Sequence, residues 1–112
     1  MIIKEAKQKT KYACNCVLYA RTWVPSLPHN LWTYWQKKRI MNAKLPRKGS
    51  IAVMKCGLPW GHVGVVLGWD RKRNRIRIKE ANYKTCKLTI RIGTPEELKI
   101  VGYYVGKHTR VK

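Results

Sequence analysis

At Pro46-Arg47-Lys48-Gly49 the spacing of apolar residues changes from helical to strand-like, and that order of elements bounds the fold. Upstream, Val17, Leu18, Ala20 and Arg21 fit an amphipathic helix from Asn15 to about Trp23, stopped near Pro25 and Pro28. Leu31-Trp32-Thr33-Tyr34-Trp35-Gln36 predicts a second short helix that carries its aromatics into the core. Downstream come five short, β-branched segments bounded by turn residues: Ser50–Lys55, His62–Trp69, Arg75–Ala81, Lys87–Ile92 and Ile100–Val105. Helices first and antiparallel strands after give an α+β class. Residues 1–12 are basic and read as a lead-in to one domain spanning residues 1–112.

Asp70-Arg71-Lys72-Arg73-Asn74 joins the second and third strands as a hairpin. Pairing Trp69 with Arg75 places His62 opposite Asn82. Side chains alternate between faces, so Ile76, Ile78, Glu80 and Asn82 share one side with His62, Gly64 and Val66. Arg75, Arg77 and Lys79 take the other. The single acid of this strand therefore lies on the apolar face, diagonal to a histidine, where an unpaired carboxylate would cost several kcal/mol.

This juxtaposition draws in a cysteine. Cys16 opens the first helix, His62 opens a strand, and Glu80 and Asn82 follow on the next one. A thiol is a nucleophile only as thiolate, and its ordinary pKa of ~8.5 leaves little of it at neutral pH. A helix N-terminus and an adjacent imidazolium both lower that value. Glu80 or Asn82 would fix the histidine ring, and Asn15 with the Cys16 N–H would face a developing oxyanion. Gly61 and Gly64 leave room for substrate, and Trp60, in Gly57-Leu58-Pro59-Trp60-Gly61, supplies a substrate wall.

The same segments resemble those of the CHAP (cysteine, histidine-dependent amidohydrolase/peptidase) family, papain-like enzymes that cut peptidoglycan. Asn15-Cys16-Val17-Leu18-Tyr19 is similar to the family's polar-Cys start of an aromatic-bearing helix. Pro46-Arg47-Lys48-Gly49-Ser50-Ile51-Ala52 resembles its Pro-x-x-Gly turn into a strand, Gly61-His62-Val63 its histidine strand, and Glu80-Ala81-Asn82-Tyr83 its Glu-x-Asn block. The blocks occur in the family's order across residues 13–105. The resemblance implies a papain-like fold, N-terminal helices packed on a five-stranded, mainly antiparallel sheet. It also implies catalysis by Cys16, His62, Glu80 and Asn82 on a muramoyl-alanine amide or a peptide bond, without cofactor or metal. Ser50 stands where the family often has an acid, the stretch from Cys16 to Pro46 is short, and there is no Asp-rich calcium loop. No separate wall-binding domain is evident.

Charge supplies the partners. The chain carries 25 Lys+Arg against 5 Asp+Glu, net +20, which favours anionic polymers such as wall teichoic acid, lipopolysaccharide or nucleic acid. No apolar run approaches the ~20 residues of a membrane span. The start, Met1-Ile2-Ile3-Lys4-Glu5, lacks a secretory pattern, so the expected location is a virion or a host cytoplasm before release to the wall, with phage structural proteins as further partners.

Other readings compete. Four unevenly spaced cysteines suggest free thiols, with Cys14, Cys56 and Cys86 as packing residues and Cys14 turned from the cleft. A zinc site from Cys14, Cys16, Cys56, Cys86 and His62 lacks any Cys-x2-Cys pair. The basic runs Lys37-Lys38-Arg39 and Arg71-Lys72-Arg73 read as solvated faces, as do His29 and His108, and Trp23, Trp32, Trp35, Trp69, Tyr103 and Tyr104 read mostly as core. A nucleic-acid-binding or structural assembly protein on the same fold is the alternative function, and it leaves the inward Glu80 without a purpose.

Overall fold

The computed structural model describes residues 1–106, so His108 lies outside the described residues. It is an α+β fold built on one antiparallel sheet of six strands. In chain order these elements are β1 (Ile2–Glu5), α1 (Cys16–Trp23), α2 (Tyr34–Arg39), β2 (Ile51–Met54), β3 (His62–Asp70), β4 (Arg75–Ala81), β5 (Leu88–Gly93), α3 (Pro95–Leu98) and β6 (Ile100–Tyr104). The strand order across the sheet is β1-β5-β4-β3-β2-β6.

The sixth strand is a correction to the expected five. Residues 2–5 are no mere lead-in: Ile2, Ile3, Lys4 and Glu5 pair with Ile92, Arg91, Ile90 and Thr89 of β5. All four are exposed, so β1 is an edge strand held by its ladder and not by a buried face that periodicity could reveal. The helix α3 was also not anticipated. Thr94 and Glu97 form a reciprocal capping box around Pro95, a Thr-x-x-Glu signature present in the sequence.

The helix α2 starts later than expected because Thr33 caps it. Its hydroxyl accepts from Gln36 N–H at 3.2 Å, and the Gln36 Oε1 accepts from Thr33 N–H at 2.9 Å. The caps rotate Trp32 and Trp35 outward, leaving them 66% and 58% exposed, so only Tyr34 of that aromatic run joins the core.

The β3–β4 hairpin is shifted at its tip. Asp70 pairs with Arg75 and Trp69 with Ile76, where Trp69–Arg75 was expected. A bulge between Val66 and Gly68 absorbs the extra residue, and beyond it Val66 pairs with Ile78 and Val65 with Lys79, the register first inferred. Ile76, Ile78 and Glu80 are accordingly buried while Arg75 and Arg77 are exposed.

The sheet is covered on both faces, which is why all four residues of β2 are buried. On one face Ala20, Val24 and Leu27 pack on Ile51, Val53, Val63 and Val65. On the other, Ala52, Met54, Val66, Ile76 and Ile78 pack with Leu98 and Tyr103. No helix among the described residues is long and apolar enough to cross a membrane.

The expectation of free thiols fails for two cysteines. Cys14 and Cys86 form a disulfide across 72 residues, tying the segment before α1 to the β4–β5 loop. Cys16 and Cys56 are free. Cys14 is neither buried nor turned away, since it is exposed and lines the cleft.

Candidate active site

Asn15 sets the position of Cys16. Its Oδ1 accepts from the N–H groups of Val17 and Leu18 at 3.0 Å, capping α1 and leaving Cys16 as the first helical residue. Asn15 was expected at an oxyanion; its carbonyl oxygen is instead committed to the helix, and the side chain still lines the cleft. Cys16 packs against the cluster under α1, beside the start of β3.

His62 begins β3 and is 7% exposed. Its Nε2 meets Glu80 Oε1 at 2.8 Å, and its ring lies close enough to the Cys16 thiol for each to shift the pKa of the other. With Nε2 taken by Glu80, Nδ1 is the ring nitrogen left to act on the Cys16 sulfur. Glu80 is fully buried.

The residue that sequence reasoning missed is Arg91. It is 3% exposed, and its Nε and Nη2 reach the two carboxylate oxygens of Glu80 at 2.7 Å each. Thr89 Oγ1 adds a third donor to Oε2 at 3.2 Å, and the ring of Tyr83 lies 3.6 Å from the guanidinium. Glu80 faces Thr89 across the β4–β5 ladder, so β5 turns Thr89 and Arg91 toward the site. Alternation by itself points the other way, since Leu88, Ile90 and Ile92 are the aliphatic set of β5, yet Thr89 and Arg91 are buried and Ile90 and Ile92 only half-buried. The usable signal was cross-strand: an inward acid requires a partner on the same face of β5.

These contacts set the charge states. Burial alone would raise the Cys16 thiol; the hydrogen bond to His62, the charge of His62, a backbone hydrogen bond at Val63 and the charge of Lys37 together bring it below its ordinary value. Burial would lower His62, but its bonds to Cys16 and Glu80 raise it to about 9. Burial would raise the Glu80 carboxyl, and the hydrogen bonds from Arg91 and His62 hold it low. The contacts thus favour the thiolate of Cys16, the imidazolium of His62 and the carboxylate of Glu80 relative to the same groups in isolation.

Asn82 is not brought to His62. It takes a left-handed backbone at φ 64°, and its Oδ1 accepts from Cys86 N–H at 2.8 Å, bracing the turn that carries the disulfide. The two glycines make room for protein and not for substrate. A Cβ on Gly61, at φ +72°, would sit 2.9 Å from Tyr34 Cα, and one on Gly64 would meet Met54 at 3.2 Å and Glu80 at 3.4 Å. Gly61 still borders the cleft.

The cleft has a volume of about 640 Å³ and is bordered by Cys16, His62, Trp32, Lys37, Trp60 and Tyr83, among others. Trp60 is 60% exposed on its rim. Lys37 was expected in a solvated basic run and is instead buried, donating to three backbone carbonyls. His29 is exposed, as expected, and borders the cleft as well. Of the five donors considered for zinc, Cys14 and Cys86 are bonded to each other, and among the described residues no three His, Cys, Asp or Glu side chains converge.

A family model, the CHAP domain, matches residues 5–82. The chain belongs to the CHAP family. The match contains Cys16, His62 and Glu80 and ends before Arg91. This CHAP domain thus carries its carboxylate-binding arginine in a strand outside the matched segment. CHAP domains are generally hydrolytic, acting as amidases or peptidases on peptidoglycan. Comparison with curated proteins and with solved structures returned no match.

Proposed function

We propose that this CHAP domain hydrolyses an amide bond of peptidoglycan, with Cys16 as nucleophile, His62 as acid and base, and Glu80 as the group that orients His62. The observation that carries the reading is that half-buried Cys16 couples to His62, which is bonded through buried Glu80 to Arg91.

The Cys16 thiolate attacks the amide carbonyl carbon, and the electron pair moves onto oxygen. The Cys16 N–H, at the positive end of α1, is the donor we assign to the developing oxyanion, with the Asn15 side-chain N–H2 as a second donor, since both residues border the cleft. His62 gives its proton to the leaving nitrogen as the C–N bond breaks, which leaves a thioester. Water then attacks this thioester, His62 takes the water's proton, and the released thiolate re-forms the starting pair. Glu80 holds the ring throughout and, fixed by Arg91, stays ionised beside the imidazolium.

The finer reading is a papain-like cell-wall lysin of the phage or virion type, which supports itself on the family and on a net charge of +20 suited to an anionic wall. The test is mass spectrometry of fragments released from purified sacculi by the native protein and by Cys16→Ala. The native protein should create one new carboxylate and one new amine per bond cut: a lactyl carboxylate with an alanine amine if it is an amidase, a peptide carboxylate with a peptide amine if it is an endopeptidase. Equal release by Cys16→Ala would sink the reading, and salt-sensitive nucleic-acid binding without release would favour the assembly alternative.

A further inference from the structure

Lys37 fastens two tryptophans. Its buried ammonium donates to Leu31 O at 2.8 Å, Trp32 O at 3.1 Å and Trp60 O at 2.9 Å. Three donors meet three carbonyls, so no proton is left for a carboxylate. Burying an ammonium on neutral acceptors is costly, and burial indeed pulls its pKa below the ordinary lysine value. What the arrangement secures is geometric: the backbone at Trp32, before α2, is locked to the backbone at Trp60, before β3.

The two indoles bound in this way are among the most exposed apolar side chains of the protein, at 66% and 60%. Both border the cleft that holds Cys16 and His62. Exposed indoles on a mobile loop would be an aggregation liability, whereas exposed indoles on a pinned backbone are pre-organised for a ligand.

We propose that Trp32 and Trp60 are a binding site for a pyranose ring of the glycan strand, with Lys37 as the positioning residue that sets their separation. This rests on the peptidoglycan reading above and deepens it. A pyranose offers flat C–H faces to aromatic planes and a polar rim to hydrogen-bonding groups. The cleft supplies both, for Asn30, His29 and Asn82 border the same cleft as the two indoles. An apolar peptide side chain would call for an enclosed pocket, and indoles left this open do not form one. The scissile amide then lies near the sugar, at the junction of glycan and peptide.

Binding is tested separately from catalysis. Cys16→Ala protein is titrated by calorimetry with peptide-free oligosaccharides of alternating N-acetylglucosamine and N-acetylmuramic acid. Adding Trp32→Ala or Trp60→Ala should raise Kd by about three- to tenfold each, the range expected for one aromatic stacking contact. Lys38→Ala, an exposed neighbour, should leave it unchanged. In the Cys16 enzyme, Lys37→Met should raise KM for a sugar-bearing muropeptide but not for the same peptide lacking the sugar. If Lys37→Met does not fold, the two tryptophan variants, altered at exposed positions, decide. Oligosaccharide binding that is absent, or indifferent to both tryptophans, overturns the proposal even if hydrolysis is confirmed. Tryptophan-dependent binding upholds it even if hydrolysis fails.

Discussion

Arg91 grips both carboxylate oxygens of Glu80 at 2.7 Å, making the orienting acid of the site one half of a buried, bidentate ion pair. A fork of this kind fixes the carboxylate plane as well as its charge. Since Oε1 also faces His62 Nε2 at 2.8 Å, the plane set by Arg91 is transmitted to the imidazole. Removing one member of a buried pair strands the other. Arg91→Met should therefore destabilise the fold by ~3–5 kcal/mol, read by thermal or denaturant unfolding. The double variant Arg91→Met/Glu80→Gln should recover part of that loss, because Glu80 is no longer an orphaned charge, while His62 still loses its carboxylate partner. Equal stability of Arg91→Met and native protein would show that the pair contributes nothing.

The same geometry ranks the partners of His62. Cys16→Ala and His62→Ala should each abolish hydrolysis, and the double variant should be no worse, since the two act as a unit. Glu80→Gln keeps the shape and removes the charge, so kcat should fall well below native. Asn82→Ala should cost far less at the chemical step, because Asn82 braces Cys86 and does not reach His62. Its effect should appear in melting temperature. A larger loss of kcat from Asn82→Ala than from Glu80→Gln would reverse the ranking.

Much of this site was readable because its local signals agree. Asn15 before Cys16 is a cap followed by a helix, and the lone acid among Arg75, Arg77 and Lys79 had to face inward in any register that buried Ile76 and Ile78. The bulge at Leu67 shifted the hairpin tip but restored the register near His62, so the face assignment survived a mistaken turn. What escaped depends on contacts distant in sequence. Arg91 is inward because Glu80 is across from Thr89, Lys37 because loops 29–33 and 57–61 meet over it, and the disulfide because the β4–β5 loop reaches the start of α1. None of these has a local period.

Activity should have an acid and an alkaline limb. The lowered Cys16 thiol places the rise of kcat/KM below the ordinary thiol range, and the loss of the His62 proton near pH 9 ends it. Alkylation of Cys16 by iodoacetamide should share the first limb. His62 also has a stability consequence. Its native pKa lies above its ordinary 6.5, so it contributes fully below about 6.5, and the contribution is lost as pH rises through about 9. A thiol that alkylates only as pH approaches 9 would contradict the pairing of Cys16 with His62.

The disulfide should matter for stability more than for chemistry. Linking Cys14 to Cys86 across 72 residues removes unfolded-state freedom worth ~4 kcal/mol on the chain-entropy account. Cys14→Ser/Cys86→Ser should melt at lower temperature while keeping most of its turnover well below the transition, because Asn15 still caps α1 and the bond that orients His62 comes from Glu80. Loss of turnover at a temperature where the variant is fully folded would mean that the bridge also positions Cys16.

The distribution of charge predicts how the enzyme is held to its substrate. Glu80 is internal, Asp70 lies 3.9 Å from Arg73, Glu5 3.6 Å from Lys87 and Glu97 3.5 Å from the amino terminus. The few surface acids are thus mostly offset by neighbours, and most of the +20 remains as an outward field. Such a field draws the protein to an anionic wall, and exposed charges are screened beyond a Debye length of ~8 Å at physiological salt. Adsorption to sacculi should therefore weaken steeply as salt rises. Turnover of a small neutral substrate should change little, since Cys16 and His62 act at contact distance inside the cleft. Reversing charge at Arg71, Lys72 and Arg73, in the β3–β4 turn at the far end of β3 from His62, should mimic high salt. Adsorption should fall several-fold and small-substrate kcat should stay near native. Wall adsorption that ignores both salt and charge reversal would assign the basic surface to a partner other than the wall.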